Sequence, residues 1–416
     1  MAGGLMQLVA YGAQDVYLTG NPEVTFFQAK YKRHTNFAME NIEQTVNGTA
    51  ANSGRVSVTV ARNGDLVGDM YLELESDIAA TATAEAGDCN WVAERAISSV
   101  ELSIGGQRID KHYQKWWRLY SELYLDEAKK ATWGKMTTAG NGSTVYLPLV
   151  FFFNRNPGLY LPLIALQYHE VRIDIDLASD FDTFLNKSVF KVWANYVYLD
   201  TEERRRFAQK GHEYLIEQVQ HTGTDTVDPS ATKQVRLSYN HPVKELVWCF
   251  SNTAAKSSLW NFTAKNLVTE VALESNQTAD NLDSNCYVPI SNLGTPMYAT
   301  KLSTEAFTEE NAGQLETFKL VLNGQDRFKE QKGKYFNQVQ AYNHHSGCPA
   351  PGVYSYSFAL KPEEHQPTGT CNFSRIDNAQ VAVKMAAGTA TSMHMFATNY
   401  NVLRIQSGMG GLAFSN

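Results

Sequence analysis

The chain has 416 residues, with 36 basic and 43 acidic side chains and a formal net charge of −7. That length exceeds what one hydrophobic core ordinarily takes, which points to two or more domains. The acidic balance, with no basic stripe, argues against direct nucleic-acid binding. Five scattered cysteines (89, 249, 286, 348, 371), an odd number with no CxxC pair, read as free thiols in a reducing compartment. No run reaches the ~18 apolar residues that a spanning helix needs. The start, MAGGLMQLVAYG, lacks the basic region of a secretion signal, so a soluble chain made in the cytosol is expected.

Val, Thr, Tyr, Phe and Asn are plentiful, which favours strands. Residues 1–24 read as an arm, with a turn at Gly20-Asn21-Pro22 and a strand starting at Val24 to Phe27. Val56, Val58 and Val60 alternate with polar residues and predict a strand. Arg62-Asn63-Gly64-Asp65 is a turn, and Met70, Leu72 and Leu74 mark the next strand. Residues 76–90, rich in Ala and Thr, read as a loop. Val100, Leu102 and Ile104 give another strand, closed by Gly105-Gly106.

The period then changes. Ile109, Tyr113, Trp116, Trp117, Tyr120, Leu123 and Tyr124 recur at helical spacing, with Asp110 as the expected N-cap. Such an aromatic face is read as core packing rather than a ligand platform. Residues 145–177 follow as strand, turn, strand, strand. Two apolar runs flank Asn154-Arg155-Asn156-Pro157-Gly158, and Val171, Ile173, Ile175 and Leu177 alternate with Arg172, Asp174 and Asp176. Phe152 and Ile173 are expected core residues. Val189 to Leu199 is a strand. Asp200 and Glu203 suggest a capping box opening a second helix that ends at Gly211, with Arg204-Arg205-Arg206 on its solvated face.

The second half repeats the first. Leu102-x-Ile104-x-Gly106-Gln107 returns as Leu320-x-Leu322-x-Gly324-Gln325, and Trp117 falls on Tyr335 at the same offset of 218. Phe151-x-Phe153 with Pro157 returns as Tyr356-x-Phe358 with Pro362. Val171-x-Ile173-x-Ile175 returns as Ala379-x-Val381-x-Val383, and Asn195-Tyr196 as Asn399-Tyr400. Two copies of one strand pattern predict two β-sandwich domains. Between Phe250 and Leu320 the second copy carries about 41 extra residues, polar in character, which read as an exposed loop over about 251–315.

Several stretches resemble the major capsid proteins of nucleocytoplasmic large DNA viruses, the algal phycodnavirus and chlorovirus branch in particular. They are the N-terminal 48 residues, VYLPLVFFFNRNPGLYLPLIALQYHEVRIDIDL (145–177), SIGGQRIDKHY (103–113), DTEERRRFAQKGHEYLIEQVQ (200–220), LNGQDRF (322–328), YSFALKPEEHQPTGTCNFSRIDNA (356–379) and NYNVLRIQSGMGGLA (399–413). They follow family order over nearly the whole chain; 251–315 and 385–393 match least. The resemblance implies an all-β double jelly roll: two tandem eight-stranded sandwiches with a few short helices in the connections. Its expected divisions are the arm (1–24), a first roll (25–206) and a second (207–416). It implies a structural capsid protein that trimerises into pseudo-hexagonal capsomers and tiles an icosahedral shell. Implied partners are copies of itself, neighbouring capsomers, minor capsid proteins and vertex (penton) proteins. An inner membrane would face the shell. The expected location is the virion, after synthesis and assembly in the host cytoplasm.

No enzyme motif is present: HExxH, the G-x-S-x-G elbow and the Walker A lysine loop are all missing. No cofactor or metal is expected. His344-His345 would point to opposite faces of a strand, a poor chelate for a cupin-type metal, and His169-Glu170 and His212-Glu213 are isolated. A carbohydrate-binding β-sandwich module is the alternative reading, with Trp260 its one hint. Six Asn-x-Ser/Thr sequons occur; Asn261 and Asn276, in the insertion, are the glycosylation candidates.

Overall fold

The computed structural model describes residues 3–76, 91–137, 144–229, 231–251, 314–350, 352–386 and 391–414. It also gives the backbone of three strands, Val268–Ala272, Cys286–Tyr287 and Tyr298–Leu302. Two compact units are present, 1–36 and 37–416. The first contains two short helices, Gly3–Val9 and Val16–Thr19, and buries none of their side chains. Leu8, Tyr17, Leu18, Phe26, Phe27 and Tyr31 are all more than three-quarters exposed. The strand expected at Val24 to Phe27 does not form; the first strand begins at Phe37.

Eight strands build the first sandwich. They are β1 (Phe37–Gln44), β2 (Arg55–Thr59), β3 (Leu66–Ser76), β4 (Ile97–Ile104), β5 (Gln107–Tyr113), β6 (Thr144–Pro148), β7 (Val171–Leu177) and β8 (Leu185–Leu199). One antiparallel sheet runs β1-β8-β3-β6 and its partner β2-β7-β4-β5. Eight more strands build the second: β9 (His212–Val227), β10 (Lys233–Leu237), β11 (Pro242–Ser251), β12 (Leu315–Leu322), β13 (Gln325–Asp326), β14 (Val353–Ser357), β15 (Ala379–Met385) and β16 (Thr391–Gln406). Their sheets run β9-β16-β11-β14 and β10-β15-β12-β13. Adding eight to each label of the first sandwich yields the order of the second. This is the double jelly roll.

Period-two alternation sets the faces. In β3, Met70, Leu72 and Leu74 are buried while Tyr71, Glu73 and Glu75 are half-buried. In β7, Val171, Ile173, Ile175 and Leu177 face the core. Matching two-residue hairpins join the fourth and fifth strands of each roll. Gly105 and Gly106 (φ +58° and +83°) turn the first, and Asn323 and Gly324 (+49° and +80°) the second. Both central residues need positive φ in this turn, whose twist matches the strands it joins. In the second roll Trp248 stacks on Phe318 at 4.3 Å across the two sheets.

The structure corrects several local expectations. The apolar run from Val145 is a strand only to Pro148. The next residues form a one-turn helix, Phe152–Arg155, and a 3-10 turn, Pro157–Leu159, and only Leu161–Pro162 of the second run pairs with β3. Phe151, Phe152 and Phe153 are all buried, so the run records burial rather than extension. Asn154 shapes the turn: its side chain accepts from the Phe151 N–H and donates to the Gly68 carbonyl. Asp110 is no N-cap. It lies in β5, and the helix α1 (Gln114–Leu123) starts four residues later, followed by α2 (Glu127–Thr137). The hairpin at Gly105-Gly106 carries pairing through Tyr113 and delays the helix. The third helix, α3 (Thr201–Gln209), has Asp200 at the N-cap position but without a side-chain capping bond, and it ends before Gly211. The insertion after β11 is not loop throughout, because its three described strands pair in an antiparallel sheet. The stretch 77–90 lies outside the described residues.

Ile173 is fully buried in β7 between β2 and β4. Ile173→Asp would put an unpaired charge there, at a cost of several kcal/mol. The expected result is loss of soluble protein, or a large drop in melting temperature by circular dichroism. A variant as stable as the parent would refute the core assignment.

Candidate functional site

The two rolls meet in a seam that is apolar at its centre and charged around it. The outer face of the β9-β16-β11-β14 sheet supplies Val247, Cys249, Val353 and Phe396, each at most 1% exposed and packed with the first roll's core. Helix α1 closes over them. Trp116 lies 5.7 Å from Phe396, and Tyr113 lies 6.0 Å from it. Its hydrophobic stripe explains why: Trp116, Trp117, Tyr120 and Leu123 recur at i, i+1, i+4 and i+7 and need cover on two sides.

Buried charges surround this patch, and each is paired across or along the seam. Tyr124 donates to Glu245 Oε2 at 2.5 Å, and the other Glu245 oxygen meets His345 Nε2 at 2.5 Å. The second His345 nitrogen faces Glu363 at 3.2 Å. Arg155, from the one-turn helix of the first roll, pairs with Glu217 at 3.1 Å, and Lys244 pairs with the same carboxylate at 2.7 Å and donates to the Pro362 carbonyl. Glu122 joins Arg118 and Lys130 and accepts from the Ala350 N–H; Lys130 also donates to the Cys348 carbonyl. The Val219 N–H donates to Asp110 Oδ1, so the misplaced cap has a seam role instead. Gly347 makes close contact possible: a Cβ there would lie 2.7 Å from the Leu125 carbonyl oxygen.

The electrostatics follow the pairing. Burial alone would lower the His345 pKa, but Glu245 and Glu363 reverse that and raise it to about 9. Burial would raise Glu217 and Glu122; the cations beside them, Arg155 and Lys244 for one and Arg118 and Lys130 for the other, hold both below the ordinary carboxylate range. Burial pushes Lys244 down despite Glu217. Groups so neutralised are suited to holding two domains at a fixed angle. Among the described residues no group of three or more His, Cys, Asp or Glu could hold a metal ion.

The residues singled out in the sequence are spread around this seam rather than gathered in it. Phe152 is buried beside Phe153, ring to ring at 5.4 Å. His344 and His345 are not on a strand: His344 ends the helix α4 (Gln340–His344), with its Nδ1 3.0 Å from the Leu360 carbonyl, and only His345 enters the seam. His169 binds the Gly410 backbone and His212 the Phe207 carbonyl. Arg205 pairs with Glu202 on the exposed helix face, while Arg204 reaches the buried Asp65 and ties the helix to the first roll. Trp260, Asn261 and Asn276 lie outside the described residues. Sequence reasoning passed over Glu217, Lys244, Glu245 and Arg155. The available signal was Lys244-Glu245 within the otherwise apolar strand PVKELVWCF, and Arg155 inside an apolar run.

His345 gives the seam a pH signature. Its folded pKa, about 9, is above the ordinary 6.5. Its stabilising contribution is therefore fully present below about pH 6.5 and is lost as pH rises through about 9. Melting temperature should fall between pH 7 and pH 10, and His345→Gln should flatten that fall while lowering stability at pH 7. Equal pH slopes in both proteins would show that His345 does not carry the effect.

Two family models cover the chain: "Major capsid protein N-terminus" over residues 25–200 and "Large eukaryotic DNA virus major capsid protein" over residues 203–411. The major capsid protein of Paramecium bursaria Chlorella virus 1 is 44% identical, with all of both chains covered. That of Phaeocystis pouchetii virus is 40% identical, again over both full lengths. A chain in a quasi-atomic model of the PBCV-1 virus capsid superposes with a TM-score of 0.75 at 39% identity, covering 94% of this chain and 100% of that one. With its duplicated sandwich, the chain belongs to the major capsid proteins of large eukaryotic DNA viruses, which are structural proteins and not enzymes.

Proposed function

We propose that three copies of this chain form a capsomer of pseudo-hexagonal outline, and that such capsomers tile the icosahedral shell of a large DNA virus. The observation that carries this is the repeated strand order, β1-β8-β3-β6 and β9-β16-β11-β14, in one chain. Two equivalent rolls per chain give a three-fold ring six similar corners, and six corners fit a hexagonal lattice. The family relationship supports the same reading: a relative at 39% identity is part of the PBCV-1 virus capsid. The carbohydrate-module alternative drew only on Trp260 and has no comparable support.

Finer features follow from this reading. The functional divisions are an arm (1–24), a first roll (25–206) and a second (207–416). The arm's exposed Leu8, Tyr17 and Leu18 suit it to bind neighbours on the interior side, where minor capsid proteins and an inner membrane would face the shell. Vertex proteins and adjacent capsomers contact the rim. Assembly takes place in the host cytoplasm. Nucleic acid is not a direct partner, in keeping with the net charge of −7. The insertion of about 251–315 stands on the outer surface, and Asn261 and Asn276 are its candidate glycan sites.

Light scattering on purified protein should give about 140 kDa, three times the 46.5 kDa chain. A strict monomer at micromolar concentration would count against the capsomer. Limited proteolysis of assembled particles should cut within 251–315 before 1–24. The reverse order of cleavage would invert the assignment of inside and outside.

A further inference from the structure

The duplication leaves one pair of surfaces without a match inside the chain. Helix α1 lies between β5 and β6 and covers the outer face of the second roll's β9-β16-β11-β14 sheet through Trp116 and Tyr124. The second roll has its own helical segment at the same place between β13 and β14: a π-helical turn, Tyr335–Val339, that runs into α4. One side of it, Phe336, Asn337, Gln340 and Ala341, is buried in its own roll. The other side turns Val339 (42% exposed) and Tyr342 (88%), three residues apart, to solvent, and the hydrogen bond from His344 ties the backbone of the exposed Leu360 (74%) to the end of α4. These three form an apolar ridge.

The matching face is on the first roll. Strand register equates Tyr71, Glu73, Tyr146 and Trp193 with Val247, Cys249, Val353 and Phe396. Tyr71 pairs with Trp193 and Glu73 with Tyr146, as Val247 pairs with Phe396 and Cys249 with Val353. In the second roll these places are sealed by α1. In the first they stay open, with Tyr146 37% exposed and Met39 on the adjoining edge strand 51% exposed. The sizes are complementary in reverse. Within the chain, the large Trp116 and Tyr124 meet a face of two valines, a cysteine and Phe396. On the free surfaces, a slimmer ridge has a face of two tyrosines and a tryptophan to meet, with the Glu73 carboxylate among them held by the Trp193 indole N–H at 2.6 Å and by Lys191 at 3.5 Å.

We propose that the Val339–Tyr342–Leu360 ridge of one copy packs head to tail on the Met39–Tyr71–Tyr146–Trp193 face of the next. The contact between copies then repeats the contact between rolls, and three chains close after six similar steps. This rests on the capsomer reading and specifies which surfaces build it.

The test uses the full chain and light scattering. The ridge variant Val339→Asp with Tyr342→Asp and the face variant Met39→Asp with Tyr146→Asp alter side chains that are exposed in one chain. Both should melt cooperatively yet scatter as monomers. Met409→Asp, exposed elsewhere at 52%, should remain trimeric. In the parent trimer, hydroxyl-radical labelling of Tyr342 should fall severalfold relative to a peptide standard, a result that does not require any variant to fold. If the parent itself is a monomer, the capsomer reading fails and this contact with it. If the parent is a trimer but both variants stay trimeric, or Tyr342 labels fully within it, only the ridge-and-face contact is overturned.

Discussion

Charge taken out of water must be matched, and the seam between the rolls is organised by that requirement. A buried Glu245 is tolerable because Tyr124 and His345 fill its oxygens, and a buried Lys244 because Glu217 and the Pro362 carbonyl meet it. Removing one member of such a pair strands the other, which typically costs about 3–5 kcal/mol, more than the intact pair adds over an apolar contact. The seam is thus less a source of stability than a source of geometry. A greasy interface would tolerate sliding; these pairs are satisfied at one relative position of the two rolls.

That constraint explains where the helices lie. A jelly roll needs only its strands to enclose a core, yet the first roll adds α1 and α2 between β5 and β6. Their residues contribute to both sides: Trp117 to the first core, Trp116 and Tyr124 to the seam, Lys130 and Glu122 to the backbone at 348–350. The connection between two strands of one domain has become the clamp on the other.

The strand framework was readable because alternation and turn chemistry are local. Met70, Leu72 and Leu74, or Ile173 and Ile175, announce their face within a few residues, and Gly105-Gly106 and Asn323-Gly324 announce hairpins. The repeat was readable because the same local signals recur in order. The failures were of a different kind. Pro148 and Asn154 turned an apolar run into helix, since apolarity reports burial without stating backbone form. Asp110 has the composition of a cap, but its partner is the Val219 N–H, 109 residues away. The seam was illegible for the same reason: Arg155 and Glu217, or Glu245 and His345, become neighbours only after both rolls have folded. Lys244-Glu245 in an apolar strand and Arg155 in an apolar run were its local traces.

The insertion after β11 has no counterpart after β3 in the repeat, so the two rolls are equivalent in framework and unequal in ornament. In the proposed three-chain ring, corners that carry the extra residues alternate with corners that lack them. Its footprint approximates a hexagon while its relief is that of a triangle. In that proposed ring, a molecule that contacts only the extra residues meets three equivalent places, and it can register how each ring is turned within the lattice although the lattice spacing does not record it.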